Sequence, residues 1–216
     1  MGTRKKFASF MVLAVLLAVF VVEFLFPRTA IPNASAVETT QDVGVYWDRS
    51  CSLAVYSIDW GVLSPGELKE VVVYVRNEGV TPFLLIIKPT NLNPGNVFEY
   101  LRVSWACESK LIEVGEVVQV THRLLVYPYT RGISSFSFGI VFEEGTSILG
   151  DLNLDGVVDG RDLTLFIACY KGLTSPETMY LADLGGGTSP QFFVCDGVVD
   201  DSDLTLFLLC YRGLGP

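Results

Sequence analysis

Asp151, Asn153, Asp155, Asp159 and Asp162 occupy positions 1, 3, 5, 9 and 12 of a twelve-residue stretch, with Gly156 at position 6. Every donor in that set is a hard oxygen, and Val157 at position 7 adds one through its backbone carbonyl. Calcium takes about six to eight oxygens at about 2.3–2.6 Å, and the glycine allows the sharp turn that wraps them around one ion. Position 12 is Asp where a calcium loop usually has Glu, so this shorter carboxylate must lie closer to chelate with both oxygens. Asp159 also suits the N-cap of a following helix. Leu163, Phe166, Ile167 and Tyr170 then recur at helical spacing, which gives that helix one apolar face.

The same pattern returns 41 residues later, where Asp196 to Leu214 matches Asp155 to Leu173 at 14 of 19 positions. Duplication at this spacing implies two copies of one loop–helix unit packed together. In the second copy Asp196, Val198, Asp200 and Asp203 fill positions 5, 7, 9 and 12. Ala182-Asp183-Leu184 echoes Gly150-Asp151-Leu152, which makes Asp183 position 1 and puts nine inserted residues between Gly185 and Cys195. Nothing replaces the Asn of position 3. The second site either leans on backbone carbonyls and water or is a degenerate, weak one. Two Ca2+ sites are expected, the second less complete than the first.

Taken together, Gly150-Asp-Leu-Asn-Leu-Asp-Gly-Val-Val-Asp-Gly-Arg-Asp-Leu163 and the Asp196 repeat resemble a type I dockerin domain. The resemblance covers about residues 149–216. It implies a small all-α, calcium-folded domain that binds a cohesin-like protein domain, often within a polysaccharide-degrading or cell-surface assembly. In that family positions 10 and 11 help choose the partner. Here these are Gly160 and Arg161 in the first copy, Asp201 and Ser202 in the second, and only Ser202 keeps the family's usual hydroxyl. Position 21, Lys171 and Arg212, is basic in both copies and could meet an acidic surface. From Gly150 onward ten acids face three bases, so a domain this small should order only when divalent ions neutralise them.

The elements that carry this unit read differently. From about Val43 to Glu144 the apolar pattern has period two. Val71, Val73 and Val75 share one face, as do Val118, Val120, Leu124 and Val126, and then Phe136, Phe138, Ile140 and Phe142. Roughly seven short strands separated by turns predict a two-sheet sandwich of residues 37–147, which resembles the immunoglobulin-like modules of exported surface proteins. His122 lies on an apolar strand face and reads as a core histidine. At least two of Trp47, Trp60 and Trp105 read as core. Cys51 and Cys107 could bridge the sheets. Cys195 could pair with Cys169 or Cys210, or those two could be buried as small hydrophobes.

Arg4, Lys5 and Lys6 precede an apolar run from Phe7 to Phe26, long enough to cross a bilayer. Ala34-Ser35-Ala36 offers a cleavage site, so residues 1–36 are expected to be a removed signal peptide or a retained membrane anchor. Asn33-Ala34-Ser35 is a glycosylation sequon. Five cysteines suit an extracellular compartment. The chain carries −9 overall, and −12 (11 basic, 23 acidic) after the first 36 residues. That balance argues against nucleic acid as a partner. One histidine, with no nucleophile–base constellation, leaves no case for an enzyme or a small-molecule substrate. The expected architecture is therefore multi-domain: an N-terminal hydrophobic helix, an immunoglobulin-like sandwich and, over residues 148–216, a small all-α dockerin-like domain. Its expected role is a non-catalytic exported interaction protein. The competing expectation is a structural or adhesion component that calcium merely stiffens.

Overall fold

A computed structural model describes residues 31–129, 133–145, 148–185 and 194–215. The period-two segments become strands: β1 (Ile31–Thr39), β2 (Val43–Tyr46), β3 (Ser57–Leu63), β4 (Leu68–Asn77), β5 (Phe83–Asn93), β6 (Leu101–Cys107), β7 (Leu111–Ile112), β8 (Val117–Val126) and β9 (Phe136–Gly145). Three short helices follow, α1 (Gly160–Tyr170), α2 (Pro176–Ala182) and α3 (Asp201–Tyr211). One sheet has the order β3-β1-β9-β5-β7, the other β2-β4-β8-β6. Their facing sides supply the main core, which includes Val73, Val75, Val118, Val120, Leu124, Phe138, Ile140 and Phe142. Trp60 and Trp105 are buried there, whereas Trp47 is partly exposed. Each large side chain removed from water contributes about 1.5–3 kcal/mol before chain entropy is charged against it.

The structure is mostly β, and the expected three-part architecture does not hold. The C-terminal residues do not form a separate all-α domain. Helix α2 packs on β5 and β6 at the side of the sandwich, and Tyr180 in that helix is 3% exposed within the main core. The Tyr180 ring meets Trp105 edge-on at 6.0 Å, and its hydroxyl donates to the Leu85 carbonyl at 3.1 Å. Cys195 pairs by backbone with Cys107 and forms a disulfide with it. The physical reason lies between the repeats. The inter-repeat segment supplies a core aromatic, Tyr180, and the second loop supplies a cysteine, Cys195, and both are used by the sandwich.

That disulfide overturns both earlier pairings. Cys51 is free, as are the buried Cys169 and Cys210, which behave as small hydrophobes. The apolar run of residues 7–26 lies outside the described residues. Among the described residues no helix is long and apolar enough to cross a membrane. The expected sandwich boundary at residue 37 is also displaced, because β1 begins at Ile31 and lies between β3 and β9. The Asn33 side chain is 5% exposed and accepts the Phe136 N–H at 2.9 Å, a position that leaves no room for a glycan.

Candidate calcium centre

Each loop is organised by two buried carboxylates, one at each end. In the first, Asp151 and Asp162 are 2% and 0% exposed. Asp151 accepts the N–H groups of Asp155 (3.1 Å) and Gly156 (2.7 Å). Asp162 accepts those of Leu152 (2.8 Å), Asn153 (3.2 Å) and Asp159 (2.8 Å). Gly156 takes φ +88° with nothing within 4 Å of where a Cβ would sit. Glycine is chosen there for its backbone alone. Asp159 caps α1 by accepting the Arg161 N–H, and Asp162 completes the reciprocal capping box.

The second loop repeats that frame bond for bond. Asp183 accepts the N–H groups of Asp196 (3.3 Å) and Gly197 (2.7 Å), as Asp151 does those of Asp155 and Gly156. Asp203 accepts Leu184 (2.7 Å), Gly185 (2.9 Å) and Asp200 (2.8 Å), as Asp162 does Leu152, Asn153 and Asp159. Asp155 and Asp196 each accept from the valine two residues on, Val157 and Val198. Asp183 is therefore position 1. Gly185 occupies position 3, which explains why no side-chain ligand could be found in the sequence. Its signal was one residue beyond the recognised echo: Asp-Leu-Gly standing where the first loop has Asp-Leu-Asn.

The loops differ in their surroundings. Arg161 reaches Asp155 at 3.3 Å, but that pair is exposed. Among the described residues no cationic side chain pairs with Asp151 or Asp162. At the second loop two cations arrive from the sandwich. Lys110, 4% exposed, donates to the Tyr180 and Asp183 carbonyls at the C-terminal end of α2, and its ammonium lies 4.2 Å from the Tyr180 ring centroid. Arg123 donates to the Asp196 carbonyl at 2.6 Å. Burial pushes the Lys110 ammonium down to about 8, while Asp183 and Asp203 pull it back up. Burial likewise pushes the Asp183 and Asp203 carboxyls up, and Lys110 draws Asp183 down. Neither cation had a sequence signal, since each is a lone basic residue in a strand or turn.

The donor set fits calcium: all-oxygen, turned by glycine, and anchored by buried carboxylates that are costly to desolvate unless a cation compensates them. In the arrangement described here those carboxylates turn toward backbone N–H groups. Among the described residues no three His, Cys, Asp or Glu side chains already converge on one point. Binding in the first loop would draw on Asp151, Asn153, Asp155, Val157, Asp159 and Asp162. The expected docking residues Gly160, Arg161, Lys171, Asp201 and Arg212 are exposed and Ser202 is half-buried. Tyr170 donates to Asp201 at 2.7 Å, which brings the end of α1 carrying Lys171 to the start of α3 carrying Asp201 and Ser202. His122, by contrast, is fully buried between Trp105 and Phe142. No protein-family model matches the chain, and no curated protein matches it.

Proposed function

We propose that this is an exported, non-catalytic interaction protein, working outside the cell or at the outer face of its membrane. Calcium orders two dockerin-like loop–helix units, which then present a face to a cohesin-type partner. The observation that carries this reading is the duplicated frame: Asp151 with Asp162, and Asp183 with Asp203, make equivalent hydrogen bonds around two glycine-turned acidic loops. The exposed residues repeat with it. Tyr170 and Tyr211, and Leu173 and Leu214, are matched pairs of large exposed side chains beside Lys171 and Arg212, a mixed aromatic and basic surface of the kind partners use. The test is a pull-down of extracellular proteins by the full chain, with calcium and with chelator. A partner retained only with calcium supports docking.

A specific observation also favours the structural reading. The second loop is fastened to the sandwich by the Cys107–Cys195 disulfide, Lys110 and Arg123. Such bracing suits a loop that stiffens a surface component. Calcium-dependent stability with no calcium-dependent partner would favour that role.

A further inference from the structure

Residues 31–36 are working parts of the sheet. In β1 they pair with β3 on one side, from Ile31 opposite Leu63 to Ala36 opposite Ser57, and from Asn33 onward with β9 on the other. The fully buried Ser35 hydroxyl accepts the Trp60 indole N–H at 2.8 Å. The Asn33 side chain accepts the Phe136 N–H at 2.9 Å. A chain cut after Ala36 would lose six of the nine residues of β1. It would also strand two buried donors, each costing about 1–3 kcal/mol.

From this we infer that the apolar residues 7–26 stay joined to the sandwich, and that the sandwich rests on a lipid bilayer by the end at which β1 begins. The inference rests on the export reading of the N-terminus and is independent of calcium. Only residues 27–30 separate the apolar run from β1, a reach of at most about 14 Å when extended. That end of the sandwich is therefore held against the headgroup layer.

Its surface suits the place. Val62 lies opposite Pro32 near the start of β1, and Leu68 begins β4 beside the end of β8. Tyr127 follows β8, and Tyr129 lies two residues further on. All four are exposed, Tyr129 at 91%. Tyrosine and aliphatic side chains are the types that settle at a membrane interface. Glu67, the carboxylate of the adjoining turn, is folded back onto the Ser64 N–H at 2.7 Å. Arg102, exposed near the start of β6, offers a guanidinium to lipid phosphate. At the opposite end Ile148, Leu149, Gly150 and Asp151 gather with Leu84, Leu85 and Lys110, at the start of β5 and beyond the end of β6. The start of the first loop, Gly150 and Asp151, is thus carried at the end away from the bilayer, while the second loop lies along the side of the sandwich against β6 and β8.

Two measurements test this on the full chain. The first is fractionation of expressing cells with N-terminal sequencing of the product. The expected result is a carbonate-resistant membrane species whose N-terminus lies upstream of Ile31, exposed on the outer face. A soluble extracellular chain beginning at Val37 would overturn the tether and leave the export reading standing. A soluble cytoplasmic chain would overturn both. The second compares Tyr129→Trp with Tyr56→Trp, an exposed site before β3 at its far end. Both are placed in phosphatidylcholine vesicles with brominated acyl chains, and emission is taken as the difference from the unsubstituted chain. Quenching at residue 129 should exceed that at 56 at least twofold. Equal quenching would overturn the orientation.

Discussion

Asp162 does three things with one carboxylate: it closes the first loop, caps α1 and, in the proposed site, supplies the twelfth-position oxygens. Asp162→Asn keeps the shape and removes the charge. Calorimetry of this variant should show at least a tenfold weaker first calcium site, about 1.4 kcal/mol, with the second loop unchanged. His122 is the other residue whose environment dictates a measurable property. Burial holds its imidazole down to about 3, and neither ring nitrogen has a hydrogen-bond partner. The unfolded chain takes up this proton near 6.5 and the folded chain resists it until about 3. Stability attributable to a neutral His122 is therefore full above about 6.5 and falls as pH drops toward 3, by up to about 5 kcal/mol. His122→Leu should flatten that dependence, read as the change in urea midpoint between pH 7 and pH 4.

At the scale of elements, the strongly patterned segments were legible and the sparsely patterned ones were not. The alternating valines of β4 and β8 and the phenylalanines of β9 announce themselves because one face of each strand must be apolar. The two loop–helix units were legible because a tight glycine turn lined with carboxylates and a helix cap both restrict residue type. Strand β1 was not, since Ala34, Ser35 and Ala36 are small and resemble a processing site, and their value to the sheet lies in bonds to Trp60 and in pairing with β3 and β9. Helix α2 and the Cys107–Cys195 bond depend on contacts between distant segments, which no local pattern records. That bond spans 88 residues, and its removal in Cys107→Ser/Cys195→Ser should cost about 2–5 kcal/mol. Calcium titration of this variant should show the second loop weakened and the first unaltered. Lys110→Met would leave the Tyr180 and Asp183 carbonyls without their buried donor. Thermal unfolding should register a loss of about 2–4 kcal/mol.

For the whole molecule, the proposed calcium loops and the sandwich share parts. Calcium at about one hundred times its dissociation constant should stabilise the chain by about 2.7 kcal/mol per occupied loop. Because Tyr180 and Cys195 sit in the main core, unfolding of the sheets and of the repeats should report one shared transition. Near-ultraviolet signals from Trp60 and Trp105 should follow the same calcium-dependent midpoint as far-ultraviolet helix signals; two separated midpoints would mean that the repeats melt on their own.

The position of α2 beside β6 carries a consequence for anyone who divides this protein. β6 is the last strand of its sheet, and Cys195 is joined to its end by backbone pairing. Ending the polypeptide near residue 147 would remove that pairing together with Tyr180. It would uncover Trp105 and leave the β6 edge without its packed helix, open to the strand-to-strand pairing from which aggregation starts. The C-terminal third therefore also serves as a cover over the open side of the sandwich at β6.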